Sequence, residues 1–295
     1  MLELETILNG PKSEELYRDS NPTWRVGRKD ELPQTAREAK RERLDRISRL
    51  EEWVALDEDV VGILRRLKSC RPERRCSSQA CPECARAFQR WFVEACDRIV
   101  KRLACDMDIY TIVPPVRFRR RENYTGAMQK FTRKLINALQ EAGVTTAIGM
   151  HDLSMNEYSD HAFESHYRPH LWVMMPREQA SKADKILRQH FRKQKRIDRP
   201  VKRQQFNGDR RAFAYGSKTR WQRRVTYPKI VDENGEVTLR QFVKPRDLRV
   251  DQSIDVMLMI DELGFIGRMF LQGVRLANFG SHVDLKLSNT GKSRF

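Results

Sequence analysis

The chain reads as an α+β protein: a central antiparallel sheet with helices packed on it, preceded by a helical arm and a small cysteine-rich module. Three observations carry this reading. First, apolar residues recur at helical spacing through 35–67 and again after Cys84. Second, from residue 109 the order of elements is strand, helix, strand, strand, helix, strand, helix. That order suits an antiparallel sheet, because a doubly wound parallel sheet alternates strand and helix strictly. Third, hydrophobic residues are 39% of the 295, enough for a core, while charged residues are 33% and spread along the whole length, which excludes a wholly disordered tail protein.

In order, residues 1–35 mix Pro, Gly, Asn and charges with little periodicity and read as a loosely packed arm. Residues 35–67 form a helical segment with Leu44, Ile47, Leu50 and Val54 as its stripe. The cysteine module and a basic helix occupy 68–108, where Phe88, Trp91, Phe92, Ala95 and Ile99 give the helix an apolar face. The α+β domain spans 109–276. Its first strand is Ile109–Val113, stopped by Pro114-Pro115, and a helix over 124–142 ends at Gly143. Strands follow at 144–157 and 167–175, then a basic helix at 177–195, a short strand at 199–206 and a short helix at 208–219. Asn234-Gly235 marks a hairpin between 222–231 and 236–243. A helix at 250–263 and a strand at 266–275 close the domain, and 277–295 reads as a tail.

Lys and Arg number 57 against 40 Asp and Glu, a formal charge of +17. Such an excess points to a polyanionic partner, most often nucleic acid. No apolar run approaches the ~20 residues a membrane span needs, and the acidic N-terminus is unlike a secretory signal. A cytoplasmic protein without membrane association is therefore expected.

Four of the six cysteines cluster as Cys70-x5-Cys76-x4-Cys81-Pro-Glu-Cys84. Tetrahedral zinc takes four thiolate or imidazole ligands that a short chain can wrap around one ion. Arg71, Arg74, Arg75 and Arg86 would offset the charge of four thiolates. A closed, structural Zn²⁺ site is the expectation, with free buried cysteines or a Cys81/Cys84 redox pair as the alternatives.

Polar candidates concentrate in 150–176, which holds four of the six histidines, at 151, 161, 166 and 170. Residues two apart share a strand face, so Arg168, His170 and Trp172 fall together, as do Asp152, Ser154 and Asn156 on the preceding strand. Downstream, Tyr215 and Lys218 are three apart, the spacing of one helix face. A cation beside a phenol favours phenolate and can hold a phosphate. Arg119 and Arg120 lie in one basic cluster. Arg210, Arg211, Arg220, Trp221, Arg223 and Arg224 lie in another that is interleaved with aromatic residues, the combination that single-strand binding uses.

The cysteine cluster, Tyr110-Thr-Ile-Val113, His166-Tyr-Arg-Pro-His170-Leu-Trp172 and Tyr215-x-x-Lys218, in that order, resemble zinc-bearing plasmid replication initiators, the rolling-circle Rep class of HUH endonucleases. The resemblance covers about 70 to 275 and implies a ferredoxin-like palm. It also implies a catalytic Mg²⁺ or Mn²⁺ held by His170, Tyr215 as nucleophile, Lys218 on the phosphate, and single-stranded or origin DNA as partner, with His166, or Asp152, Asn156 or Glu157 on the neighbouring strand, as the candidate helpers in place of a second histidine. The chain departs from the family at Trp172, where the second metal-binding histidine would fall. A non-catalytic, zinc-stabilised nucleic-acid-binding protein on the same fold is the alternative.

Overall fold

The structure is a computed structural model. It describes residues 2–9, 34–55, 57–119, 121, 124–159, 163–194, 197, 199–233, 236–279 and 282–288. Arg120 and His161 lie outside them.

The elements run α1 (Leu2–Asn9), α2 (Ala36–Trp53), α3 (Glu58–Ser69), α4 (Pro82–Leu103), β1 (Met107–Ile112), α5 (Tyr124–Glu141), β2 (Ala147–Tyr158), β3 (His166–Pro176), α6 (Arg177–His190), β4 (Val201–Gln205), α7 (Arg211–Gly216), β5 (Gln222–Glu233), β6 (Glu236–Asp247), α8 (Val250–Arg268), β7 (Met269–Gln272), β8 (Val274–Asn278) and β9 (Val283–Leu287). The single helix expected over 35–67 is two. α2 starts at a capping box, Thr35 with Glu38, and stops before Asp57 caps α3. The segment expected to be a tail contains β9, which pairs with β8.

The main sheet has seven strands in the order β4-β1-β3-β2-β5-β6, with β7 also on β2. It is mixed, not purely antiparallel. β5 runs parallel to β2 over Met155–Tyr158 against Arg223–Thr226, while β7 pairs with β2 at Ala147–Met150. The two neighbours thus share one edge of β2 and leave 151–154 between them. There the Arg268 guanidinium donates to the His151 carbonyl at 3.1 Å.

Strand alternation gives the sheet two buried faces. On the back face, Tyr110, Ile112, Leu153, Leu171, Val173 and Met175 pack with α5, α6 and α8. On the front face, Met107, Ile109, Ile148, Met150, Trp172 and Met174 pack with α4 and α7. The expected stripe on α2 is displaced. Leu44 is 54% exposed, whereas Arg43 and Arg46 are buried beside Ala39 and Leu50. They are buried because carbonyls receive them: Arg43 donates to Leu67 O at 2.8 Å, and Arg46 donates to Ala80 O at 2.7 Å and to Thr219 O at 3.2 Å. Burial of so polar a group is tolerable only with such partners.

α7 sits directly on Trp172. The indole meets Phe213 edge-on at 6.1 Å, and a Cβ at Gly216 would lie 2.9 Å from the ring. α4 fixes the same helix, with the Gln89 side-chain amide donating to Ala214 O at 2.8 Å and Arg210 pairing with Asp97 at 3.0 Å.

Two predictions follow from this packing. Gly216→Ala should cost about 1–3 kcal/mol, since neither the indole nor the helix can retreat. An unchanged urea midpoint would show that the contact is slack. His151, on the back face, bonds Thr132 at 2.9 Å, and burial pushes its pKa down to about 3. A lowered folded pKa contributes stability above the unfolded value near 6.5, which is lost as pH falls toward 3. Between those limits wild type should lose on the order of 1.4 kcal/mol per pH unit from this group. Denaturant titrations from pH 7 to 4 should show that slope reduced in His151→Asn; equal slopes would contradict it.

Candidate metal centre and polar sheet face

The four clustered cysteines converge. Cys70 ends α3, Cys81 is the N-cap of α4 with Pro82 behind it, and Cys84 lies in the first turn. Ser77, in a left-handed conformation (φ 56°), turns the chain back between Cys76 and Cys81. The four Sγ atoms all lie within 4.8 Å of one another, with 3.6 Å for Cys70–Cys84 and Cys76–Cys84 and 3.7 Å for Cys70–Cys81. Four thiolates around zinc at about 2.3 Å stand roughly 3.8 Å apart, so the cluster fits one zinc ion. Cys70, Cys81 and Cys84 are buried in the front core. Cys81 makes no side-chain cap bond, which leaves its sulfur for a metal and the helix N-terminus to favour thiolate. Mutual sulfur contacts pull Cys70 well below its ordinary range and hold Cys81 well above its own. Next in sequence to Cys76, the buried Arg75 Nε makes no hydrogen bond, a cation suited to a site with excess thiolate charge. The protein offers all four positions that a tetrahedral ion takes, the closed arrangement of a structural rather than a catalytic site.

The module also braces the polar site. Ser78 donates to Asp261 of α8 at 2.5 Å, and Arg46 joins Ala80 of the module to Thr219, just beyond α7. The position of α7 therefore depends on the cysteine loop.

Past Trp172 the front face turns polar. Register places Asp152 opposite His170, Ser154 opposite Arg168, and Asn156 opposite His166 on β3 and Arg224 on β5. Thr111 and Lys202 lie across from Trp172. Asp152 is buried and accepts from His170 Nε2 at 2.8 Å and from Lys218 Nζ at 2.6 Å, both on Oδ2. Burial alone would raise this carboxyl, but Lys218 and His170 hold it well below the usual carboxylate range. Lys218 follows α7 in a turn, its N–H donating to Tyr215 O at 3.3 Å, and its ammonium stands 5.4 Å from the Tyr215 ring centroid. The phenol is 39% exposed. Asp152, His170, Lys218 and Tyr215 thus form one constellation at the end of α7.

Other expected residues lie elsewhere. His166 bonds Glu164 O and Arg168, each at 2.9 Å. It is four residues from His170 along β3, roughly 13 Å, so it does not join the Asp152 cluster. A hard divalent ion does not fit the arrangement: Lys218 holds the carboxylate oxygen such an ion would take, and the Trp172 indole can only donate. Trp221 is 8% exposed on the back face, between Arg46 (5.8 Å) and Arg268 (5.5 Å), and so cannot stack on bases. Arg119 pairs with Glu164, Arg211 with Asp209, and Arg220 with Glu42 at 3.8 Å and Asp247 at 4.0 Å. Arg223 bonds Glu157 at 2.6 Å on the back face, whereas Arg224 is exposed on the front. The basic helix α6 spends much of its charge on its own turns, Lys182 on Glu178 and Arg188 on Asp184, both at 2.7 Å. Lys202 was one cation among many in the sequence; only pairing of β4 with β1 brings it beside Thr111 on the front face.

No protein-family model, curated protein or solved structure matches the chain. Among the described residues no helix is long and apolar enough to cross a membrane.

Fresh, reduced protein made without an affinity tag should carry about one zinc per chain, and Cys81→Ser should lose both the metal and thermal stability. Elemental analysis showing less than about half an equivalent, with Cys81→Ser as stable as wild type, would remove the metal centre.

Proposed function

We propose that the protein binds single-stranded DNA across the polar front face of its sheet, as a replication initiator-like protein stabilised by zinc. One observation carries this reading. The face carries the half-buried or exposed cations Lys202, Arg168, Lys218 and Arg224, while the buried Asp152 carboxylate is already bonded to Lys218 and His170. The exposed Tyr215 ring at the rim offers a stacking surface for an unpaired base. Support also comes from topology. β1-α5-β2-β3-α6-β4, with strand order β4-β1-β3-β2 and antiparallel pairing, is the split β-α-β, ferredoxin-like arrangement that the resemblance to Rep proteins implies.

A second reading, strand cleavage, is favoured by the Tyr215–Lys218 geometry. Tyr215 Oη would bond to phosphorus as the P–O3′ bond breaks, the phenolic proton passing to the departing 3′ oxygen. Lys218, next to the ring, would take the phosphate charge. Trp172 and the Lys218–Asp152 pair set this chemistry apart from the metal-dependent form, and they support binding without cleavage as the primary activity.

A labelled oligonucleotide pool separates the two. Replacing Lys202 and Arg224 by Ala should weaken single-strand binding and lower the salt slope by about 0.7 per lost phosphate contact. Tyr215→Phe should leave affinity within about threefold, since it keeps the ring. Absence of binding at low salt sinks the proposal. Absence of any Tyr215-dependent covalent adduct, with binding intact, sinks only the cleavage reading.

A further inference from the structure

β5 and β6 pair with each other along their whole length, twelve residues each, yet β5 touches β2 only through Arg223–Thr226. From Tyr227 outward the two strands form a ribbon that runs on beyond the sheet for roughly 20 Å. Every residue of β6 from Gln241 to Asp247 is exposed.

The ribbon sorts its side chains. On the back side, cross-strand partners are Arg223 with Arg246, Val225 with Lys244, Tyr227 with Phe242, and Lys229 with Arg240. On the other side they are Arg224 with Pro245, Thr226 with Val243, and Pro228 with Gln241, with Ile230 beyond. Outward of Arg223, which Glu157 neutralises, the back side places Lys229, Arg240, Lys244 and Arg246 around a stacked Tyr227–Phe242 pair with centroids 6.2 Å apart. Lys229 Nζ lies 5.8 Å from the Phe242 ring centroid. Among the described side chains of that row there is no carboxylate. Lys229, Lys244 and Arg246 are all exposed and carry like charge along one side, which an anion laid along the ribbon would offset.

We infer that the back side of the β5–β6 ribbon is a second nucleic-acid surface, and that its ligand is duplex DNA. It faces away from the Asp152–Tyr215 constellation, so one strand lying on the front face cannot also occupy it. A two-stranded ribbon with its side chains matches the major groove, about 12 Å wide, and its twist follows the groove. The cations come from both strands of the ribbon, as a groove bounded by two phosphate rails requires. The ring pair between them suits sugar and thymine-methyl contacts. The inference shares only the ligand class with the reading above: the front face takes the unpaired strand and the ribbon takes the flanking duplex.

The test measures binding of the full chain to a duplex and to a single strand of the same length, across a salt series. The variant K229A/K244A/R246A should lose duplex affinity by about tenfold or more and reduce the duplex salt slope by roughly 2.7, three contacts at about 0.9 each. Single-strand affinity should stay within about twofold of wild type. Lys244→Glu, a single exposed change opposite Val225, should weaken duplex binding in the same direction and guards against a folding defect in the triple variant. Replacing Lys202 and Arg224 should give the converse pattern. Undiminished duplex binding in both ribbon variants, equal losses on the two probes, or no duplex binding by wild type overturns the inference. Ribbon-dependent duplex binding in a protein that ignores single strands upholds it while removing the front-face reading.

Discussion

The contact of the Trp172 indole with Gly216 fixes the front of the molecule. It sets how closely α7 approaches the sheet, and through α7 it sets where Tyr215 and Lys218 stand over Asp152. A side chain on residue 216 would lift the helix, and a smaller residue at 172 would let it sink. Further contacts hold α7 against this seat: Gln89 and Asp97 from α4, with Arg46 reaching across from α2 to Thr219 just beyond it. The cysteine cluster can thereby govern the polar face, because Arg46 also holds the cysteine loop at Ala80.

The same seat explains why the constellation is built around an ammonium. Once an indole fills the centre of β3, the buried Asp152 needs compensation from elsewhere, since an unpaired carboxylate there would be costly. His170 supplies it from the neighbouring strand and Lys218 from the end of α7. The result is a neutralised anchor beneath an exposed phenol, within a face that also carries Arg168, Lys202 and Arg224.

Much of this was legible in the sequence. Helical and strand periodicity located most elements, β5 and β6 pair as the expected hairpin requires although Asn234-Gly235 lie outside the described residues, and four cysteines within a short loop announced their convergence. The less legible parts depend on long-range pairing. Leu44 keeps helical period with Ile47 and Leu50 yet faces solvent, because carbonyls from the cysteine loop and from Thr219 draw Arg43 and Arg46 inward. Trp221 resembled a base-stacking ring among arginines and proved to be core, capped by two of those cations. The parallel pairing of β5 with β2 has no local signal, because strand direction is decided by how the chain returns and not by the strand's own residues.

One closing contact bears on how the chain reaches this state. α4, which carries two of the cysteines, is covered late in sequence: Trp91 donates its indole N–H to Val283 O at 2.7 Å, and Arg98 pairs with Asp284 at 2.8 Å. Nearly two hundred residues separate these partners. On the ribosome, α4 therefore emerges and must wait for almost the whole sheet to be synthesised before β9 can cover it. Until then the Trp91 indole and Arg98 lack their β9 partners, so the packing of α4 is finished only when the end of the sheet arrives.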